Sequence, residues 1–259
     1  INSILEEAGK IAQRGIKEIV ITGVNIGDFG KTTGDSFASL MRELIKTDGI
    51  ERYRISSIEP NLLTDELIDL AAESRRILPH FHIPLQSGSD RILGLMRRRY
   101  SRDLFADRVN AVRKKMPLAG IGADVIVGFP GESDADFEDT FSFLSRMELS
   151  YLHVFNFSER PGTPAASMKE KVPFRLREER SKRLIALSDK KHEEFCRMNI
   201  GQSGEVLFEH TKRDGMITGF TANYISTVMP WNSGLAGNIR TVKLTGIDPS
   251  GRMTAVITD

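Results

Sequence analysis

Two histidines one residue apart, His80 and His82 in "HFHIPL", project from the same face of a β-strand, because side chains alternate along an extended chain. Imidazoles so placed can ligate a metal ion, and Asp124 or His153 could complete a hydrolase site of the kind parallel barrels carry. Both histidines fall early in their run, while Gln86 and the polar residues after it mark the end where such folds work. No local spacing fixes a third ligand. The sequence therefore assigns no metal ligand, and a metal-dependent barrel hydrolase using His80 and His82 stands as the alternative reading. A second candidate is "TGVNIGDFGKTTGDS", residues 22–36, which follows the apolar run Ile19 to Ile21. A phosphate-binding loop needs glycine six positions before its lysine and a helix beginning at the Lys-Thr pair. Asn25 occupies the glycine slot, and helical spacing starts only at Phe37, continuing through Leu40, Met41, Leu44 and Ile45. The loop does not read as a triphosphate cradle and needs another purpose. The cluster "MRRRYSR", residues 96–102, can grip phosphates or simply be a solvated face. Cys196, the single cysteine, excludes an intrachain disulfide and reads as a packing neighbour in a helix.

These residues need elements to position them. Short β-rich runs, "KEIVIT" (17–22), "RYRISSI" (52–58), "HFHIPL" (80–85), "GADVIVGF" (122–129) and "YLHVFNF" (151–157), alternate with helical spacing. Ser3 and Glu6 read as a capping box before a helix face of Ile4, Ala8 and Ile11. Thr64, Ser101 and Ser133 read as caps of three later helices. Repeated strand-helix units predict an α/β fold with a parallel sheet, either barrel or doubly wound. Polar and glycine-bearing residues gather after each strand: Gly23-Val24-Asn25, Ser57 with Glu59, Gln86-Ser87-Gly88, Gly128 through Glu132, and Ser158-Glu159-Arg160. That common end is where α/β proteins place their sites. A chain opening at a helix cap on Ile1 reads as a piece of a longer protein.

The second half changes character. A long charged helix starts near Pro173 and ends at Gly201, with Leu184, Leu187, Phe195 and Met198 on its buried side. Five short β-type runs follow in about sixty residues, the pattern of a small all-β barrel of the sort that often binds nucleic acid. There Phe220, Tyr224 and Trp231 with Arg213 and Arg240 could stack bases and meet the backbone. Lys and Arg number 36 against 35 Asp and Glu, so the net charge of +1 supplies no global attraction to nucleic acid or membrane. With no long apolar run and no signal peptide, a cytoplasmic, membrane-free protein is expected.

Three long words, "PHFHIPLQSGSDRILGLMRRRYS", "DVIVGFPGESDADFEDTFSF" and "FNFSERPGTPAASM", resemble the radical S-adenosylmethionine methylthiotransferases that modify transfer RNA, and the C-terminal unit resembles their TRAM domain. "TGVNIGDFG" and "RISSIEPNLLTDELIDL" are most similar to the branch acting on N6-threonylcarbamoyladenosine beside the anticodon; the isopentenyladenosine and ribosomal-protein branches are the neighbours. The resemblance implies a partial parallel (β/α) barrel over 1–165, a connecting segment and helix over 166–200, and a TRAM β-barrel over 201–259. It implies that S-adenosylmethionine binds at the strand ends: its methionine part at Gly23, Val24 and Asn25, its ribose at Gln86 and Ser87, and its adenine along Asp124, Val127 and Gly128. Ser57 and Glu59 face the same cavity, with Glu59 toward the methionyl ammonium. Arg97, Arg98, Arg99, Arg160, Arg213, Tyr224 and Arg240 are the residues expected to contact the anticodon stem-loop of the tRNA partner. In that family a reduced 4Fe-4S cluster cleaves the cofactor to a 5′-deoxyadenosyl radical that takes the hydrogen at adenine C2, and a second 4Fe-4S cluster supplies the methylthio group. The family carries its clusters on a Cys-x-x-x-Cys-x-x-Cys loop after the first barrel strand and on three cysteines of an N-terminal domain. This sequence has neither, since Cys196 matches none of them and thiolate ligation has no substitute here. The chain alone is expected to hold neither cluster, to be inactive and to have no catalytic residue of its own; the sulfur donor is not specified.

Overall fold

The five apolar runs of the first half become a row of parallel strands in the computed structural model, which describes residues 1–258. They are β1 (Glu18–Ile21), β2 (Arg52–Ile55), β3 (His80–His82), β4 (Gly120–Val127) and β5 (Tyr151–Asn156). β1 pairs with β2 from Glu18↔Arg52 to Ile21↔Ile55, and β4 pairs with β3 on one side and β5 on the other. Bridges Tyr53↔Ile77 and Ser57↔His82 join the two sections, and the Ile58 N–H donates to the His82 carbonyl at 3.0 Å. The strand order is thus that of the sequence. Among the described residues, β1 and β5 each have a single strand neighbour, so the barrel is open.

Helices α1 (Asn2–Gln13), α2 (Phe37–Leu44), α3 (Asp65–Glu73), α4 (Asp90–Leu95), α5 (Arg102–Lys115) and α6 (Asp134–Arg146) cover the sheet. Thr64, Ser101 and Ser133 cap α3, α5 and α6, each hydroxyl accepting a backbone N–H at 3.2–3.3 Å. At α6 the box is complete, since the Asp136 carboxylate also accepts the Ser133 N–H. The first helix departs from expectation. It opens at Asn2 because the Ile4 and Leu5 N–H groups already bond to the Ile1 carbonyl, so Ser3 lies inside it and makes no cap. β3 is also shorter than "HFHIPL" suggests, ending two residues before Pro84, which has no N–H to give the ladder. The core beneath holds Tyr53, Phe81, Ile83, Leu85, Phe105 and Val125, all fully buried.

Helix α7 (Phe174–Asn199) runs from this sheet into a second unit. Its Ser188 hydroxyl accepts the Leu152 N–H at 2.8 Å and donates to the Leu152 carbonyl at 3.0 Å, supplying partners on the outer edge of β5. Leu184 and Phe195 are buried as the spacing predicts, but Met198 is 56% exposed and Asn199 is buried in its place. Strands β6 (Ser203–Arg213), β7 (Met216–Thr221), β8 (Ser226–Pro230), β9 (Ile239–Ile247) and β10 (Met253–Ile257) close into a small barrel in the order β10-β8-β7-β6-β9. Val206, Phe208, Ile217, Val242, Leu244 and Met253 fill it, with Phe195 and Cys196 packed against them.

The two units meet at the N-terminal ends of β2, β3 and β4. Arg52 and Arg54, both buried, share Glu18 at 3.1 and 2.8 Å, and Arg54 donates to the Ala222 carbonyl at 3.1 Å. Buried guanidinium is tolerable only with such partners. Asn223 donates to the Leu118 carbonyl at 2.8 Å and to Asn199 at 3.0 Å. Gly120 admits this contact, since a side chain there would run into the Asn223 carbonyl. No described helix is long and apolar enough to cross a membrane.

Candidate functional site

Strand pairing stacks the ionisable residues in two layers on the concave face. β3 offers His80 and His82, β4 offers Gly122 and Asp124, and β5 offers Tyr151, His153 and Phe155, each set alternating onto one side. The lower layer is closed. The ring of Tyr151 lies where a Gly122 side chain would be, and its hydroxyl is 2.8 Å from His80 Nε2. Burial first, and Arg54 second, hold the His80 pKa well below the ordinary imidazole value, so this ring is neutral. His80 therefore does not pair with His82 on an ion, which corrects the His80/His82 reading: spacing placed both on one face, but only the structure shows that Tyr151 claims the first.

The upper layer is different. His82 Nε2 and His153 Nδ1 lie 2.8 and 3.4 Å from the same oxygen, Oδ1 of Asp124. Burial pushes the Asp124 carboxyl up, yet the two imidazoles outweigh it and hold it well below the usual carboxylate range. It is a carboxylate at neutral pH. The third member of this group, His153, comes from β5, which no local spacing could have tied to β3.

The strand ends bear the residues assigned to the cofactor. Gly23, Val24 and Asn25 are exposed and line a cleft of ≈ 620 Å³ with α1, β1 and α2. Ser57 is exposed two residues beyond the end of β2, and Glu59, two residues further on, is half-buried. Glu59 is paired with Arg98 at 3.1 Å, so two residues assigned to different ligands are brought together on each other. Gln86 is buried, holds a positive φ of 69°, and clips β4 by donating to the Asp124 carbonyl at 2.8 Å and accepting from the Ile126 N–H at 2.9 Å. Such backbone conformation in a non-glycine residue costs on the order of 1–3 kcal/mol and marks an over-determined position. The Ser87 hydroxyl is turned into the protein, 3.3 Å from that of Thr140 and accepting the Ser89 N–H.

At the end of β4, the Val127 carbonyl accepts from Phe157 at 2.8 Å and the Gly128 N–H donates to Glu132 at 3.0 Å. Glu132 Oε1 also lies 2.5 Å from the Arg180 guanidinium, both side chains 3% exposed. Burial raises the Glu132 pKa, with the Gly128 N–H and Arg180 opposing it. Gly128 has φ 73° and no room for a side chain, because the Arg177 stem lies where Cβ would go. Glu132 and Arg180 thus fix the loop that the sequence assigned to adenine, a role invisible without knowing that α7 folds back over it.

The residues assigned to RNA are scattered. Arg97 and Arg99 are exposed after α4, Arg160 follows β5, and Arg213 ends β6, all exposed. Arg240 is half-buried on β9 and donates to its neighbour's carbonyl at 2.9 Å. Tyr224 is engaged in the inter-barrel contact: its ring stacks on His80 and Phe220 with centroids at 4.3 and 4.9 Å, and the Arg54 guanidinium is 4.8 Å from its centre.

An open row of parallel strands with helices outside and polar loops at the carboxyl ends defines a partial (β/α) barrel. Residues 1–144 match the family model described as the radical SAM superfamily, and the chain belongs to that superfamily. The chain is 40% identical over 247 residues to the threonylcarbamoyladenosine tRNA methylthiotransferase MtaB of Bacillus subtilis, covering 93% of itself and 55% of that relative. It is 37% identical over 246 residues to a tRNA-2-methylthio-N(6)-dimethylallyladenosine synthase of Syntrophotalea carbinolica, covering 93% of itself and 56% of the relative. The chain spans about half the length of the curated relatives it matches. In fold it resembles coproporphyrinogen III oxidase of Escherichia coli, a radical SAM enzyme, with TM-score 0.56 at 17% identity over 73% of this chain and 46% of that one.

Proposed function

We propose that the chain supplies the barrel and C-terminal parts of a tRNA methylthiotransferase that places a 2-methylthio group on N6-threonylcarbamoyladenosine beside the anticodon. The observation that carries this is the identity to the threonylcarbamoyladenosine enzyme of Bacillus subtilis along nearly the whole chain. Residues 1–165 form the catalytic barrel, 166–200 the connection, and 201–259 a TRAM-like RNA module. The tRNA substrate makes the cytoplasm the place of action. The dimethylallyladenosine branch is the second reading, favoured by the similar identity to the Syntrophotalea carbinolica enzyme.

S-adenosylmethionine fits the strand-end face in part. The exposed backbone of Gly23, Val24 and Asn25 receives its amino-acid end, and Gly23 has little space for a side chain, with Ile26 Cγ2 3.1 Å from where Cβ would be. Glu59 reaches the ammonium only by sharing or releasing Arg98. Gln86 and the Asp124–Gly128 strand end shape the wall for the nucleoside, held by Glu132. When bound, the cofactor supplies the radical that activates the adenine C2–H bond. Arg97, Arg99 and Arg160 are exposed and contact the phosphates of the anticodon arm.

A cubane does not fit the donors of this chain. Cys196, its single thiol, is fully buried against the small barrel, and burial pushes its pKa up to about 11. Cluster ligation therefore falls to residues upstream in a full-length protein, and this chain by itself is inactive. The test is anaerobic reconstitution of the chain and of the full-length gene product, with iron, sulfide and methylthio transfer to tRNA measured in both. The full-length protein takes up clusters and modifies tRNA, and the chain does neither; a cubane on the chain, or full-length protein that loads clusters yet leaves tRNA unmodified, contradicts the reading.

A further inference from the structure

We propose that His82, Asp124 and His153 form a binding site for one divalent transition-metal ion of the Zn²⁺ and Fe²⁺ class on the concave face of the parallel sheet. Three adjacent strands contribute one ligand each. Asp124 and His153 are direct partners across β4 and β5, while His82 pairs with Gly122, one alternation below Asp124 on the same face, so the stagger of the sheet brings all three side chains to one level. Their donor atoms lie within 4.8 Å of one another. The separations of 2.8 and 3.4 Å from Asp124 Oδ1 bracket the edge of about 3.3 Å between donors that each sit about 2.0–2.1 Å from a tetrahedral ion.

A plain ion-paired cluster accounts less well for His82. Its Nε2 is buried and makes no hydrogen bond, although the Asp124 oxygen is only 2.8 Å away. Nitrogen and carboxylate oxygen thus sit side by side without a hydrogen bond of ordinary geometry, a spacing that two ligands of a common ion share. Two imidazoles with one carboxylate suit borderline divalent ions, and three protein ligands leave positions for water or a substrate oxygen. Those positions face the open side, where the His153 side chain is 51% exposed while His82 is 12% exposed. His80 is no competitor, being held by the Tyr151 hydroxyl at 2.8 Å. Its existence does not depend on the methyl-thiolation reading.

Zn²⁺ alone is the probe, titrated into the chelator-stripped chain against a chromophoric competitor, with Co²⁺ as its spectroscopic substitute. One equivalent of Zn²⁺ binds, and Co²⁺ at one equivalent shows the intense visible absorption of a low-coordinate nitrogen and oxygen site. Asp124→Asn and His153→Gln each weaken binding by at least about a hundredfold, the upper end of what loss of a mere outer-shell partner costs, whereas His192→Gln, beside Cys196, leaves it unchanged. Circular dichroism verifies that each variant is folded, and the Co²⁺ spectrum of the unsubstituted chain decides the matter if a variant is not. Less than a stoichiometric equivalent, a spectrum like that of aqueous Co²⁺, or equal affinity in folded Asp124→Asn overturns the site.

Discussion

At the scale of single residues, chemistry was legible where local spacing determines it and hidden where a distant element does. Cys196 was readable as a packing residue from its place on a helix, and it is fully buried beside Phe195. Burial first, and the nearby Glu193 charge second, push its thiol up to about 11. Since only the thiolate attacks, the native thiol reacts with a disulfide reagent at pH 8 roughly a hundredfold more slowly than free cysteine, whose pKa is about 8.5. Stopped-flow labelling checks this, and a native rate equal to that of the urea-unfolded chain contradicts it. Glu59 and Arg98 show the opposite case. Each was read as meeting a ligand, and nothing in sequence 39 positions apart tells that they pair at 3.1 Å.

Among the elements, the caps were the most legible feature, because a serine or threonine acts on an N–H only two or three residues away. The start of α6 shows what a cap gathers once the chain folds. Asp136 accepts from the Ser133 N–H at 2.9 Å, the Ser89 hydroxyl at 2.7 Å and Arg91 Nε at 3.1 Å, tying α6 to the loop before α4. Burial would raise its pKa, but Arg91, Ser133 and Ser89 outweigh it and hold the carboxyl well below its usual range. A depressed carboxyl stabilises the fold above the unfolded-state pKa of about 3.9 and loses that contribution as the pH falls below it. Asp136→Asn therefore costs about 2 kcal/mol at pH 7, and the gap to the parent narrows from pH 4 toward pH 2. Urea unfolding midpoints across that range test it; a gap that is constant with pH contradicts the role of the charge. The failed Ser3–Glu6 box has the same local logic, since the Ile1 carbonyl opens the helix two residues earlier.

For the whole molecule, the parallel sheet and the all-β unit after it followed from alternating patterns, but the strand order and the joint between the units did not. It rests on Arg52 and Arg54 of "RYRISSI", both buried over Glu18, with Arg54 also on the Ala222 carbonyl. The same joint stacks the Tyr224 ring on His80, with the Arg54 guanidinium over it. The strand-end face, by contrast, was legible in outline, because every polar word follows a strand and parallel topology sends all of them to one end. What that face does is decided most directly in cells, by mass spectrometry of the nucleosides of total tRNA with and without the full-length gene. The account predicts that 2-methylthio-N6-threonylcarbamoyladenosine disappears and its unmethylthiolated precursor accumulates, while the isopentenyladenosine derivative is unchanged. Retention of the threonylcarbamoyl product at its parental level would contradict it.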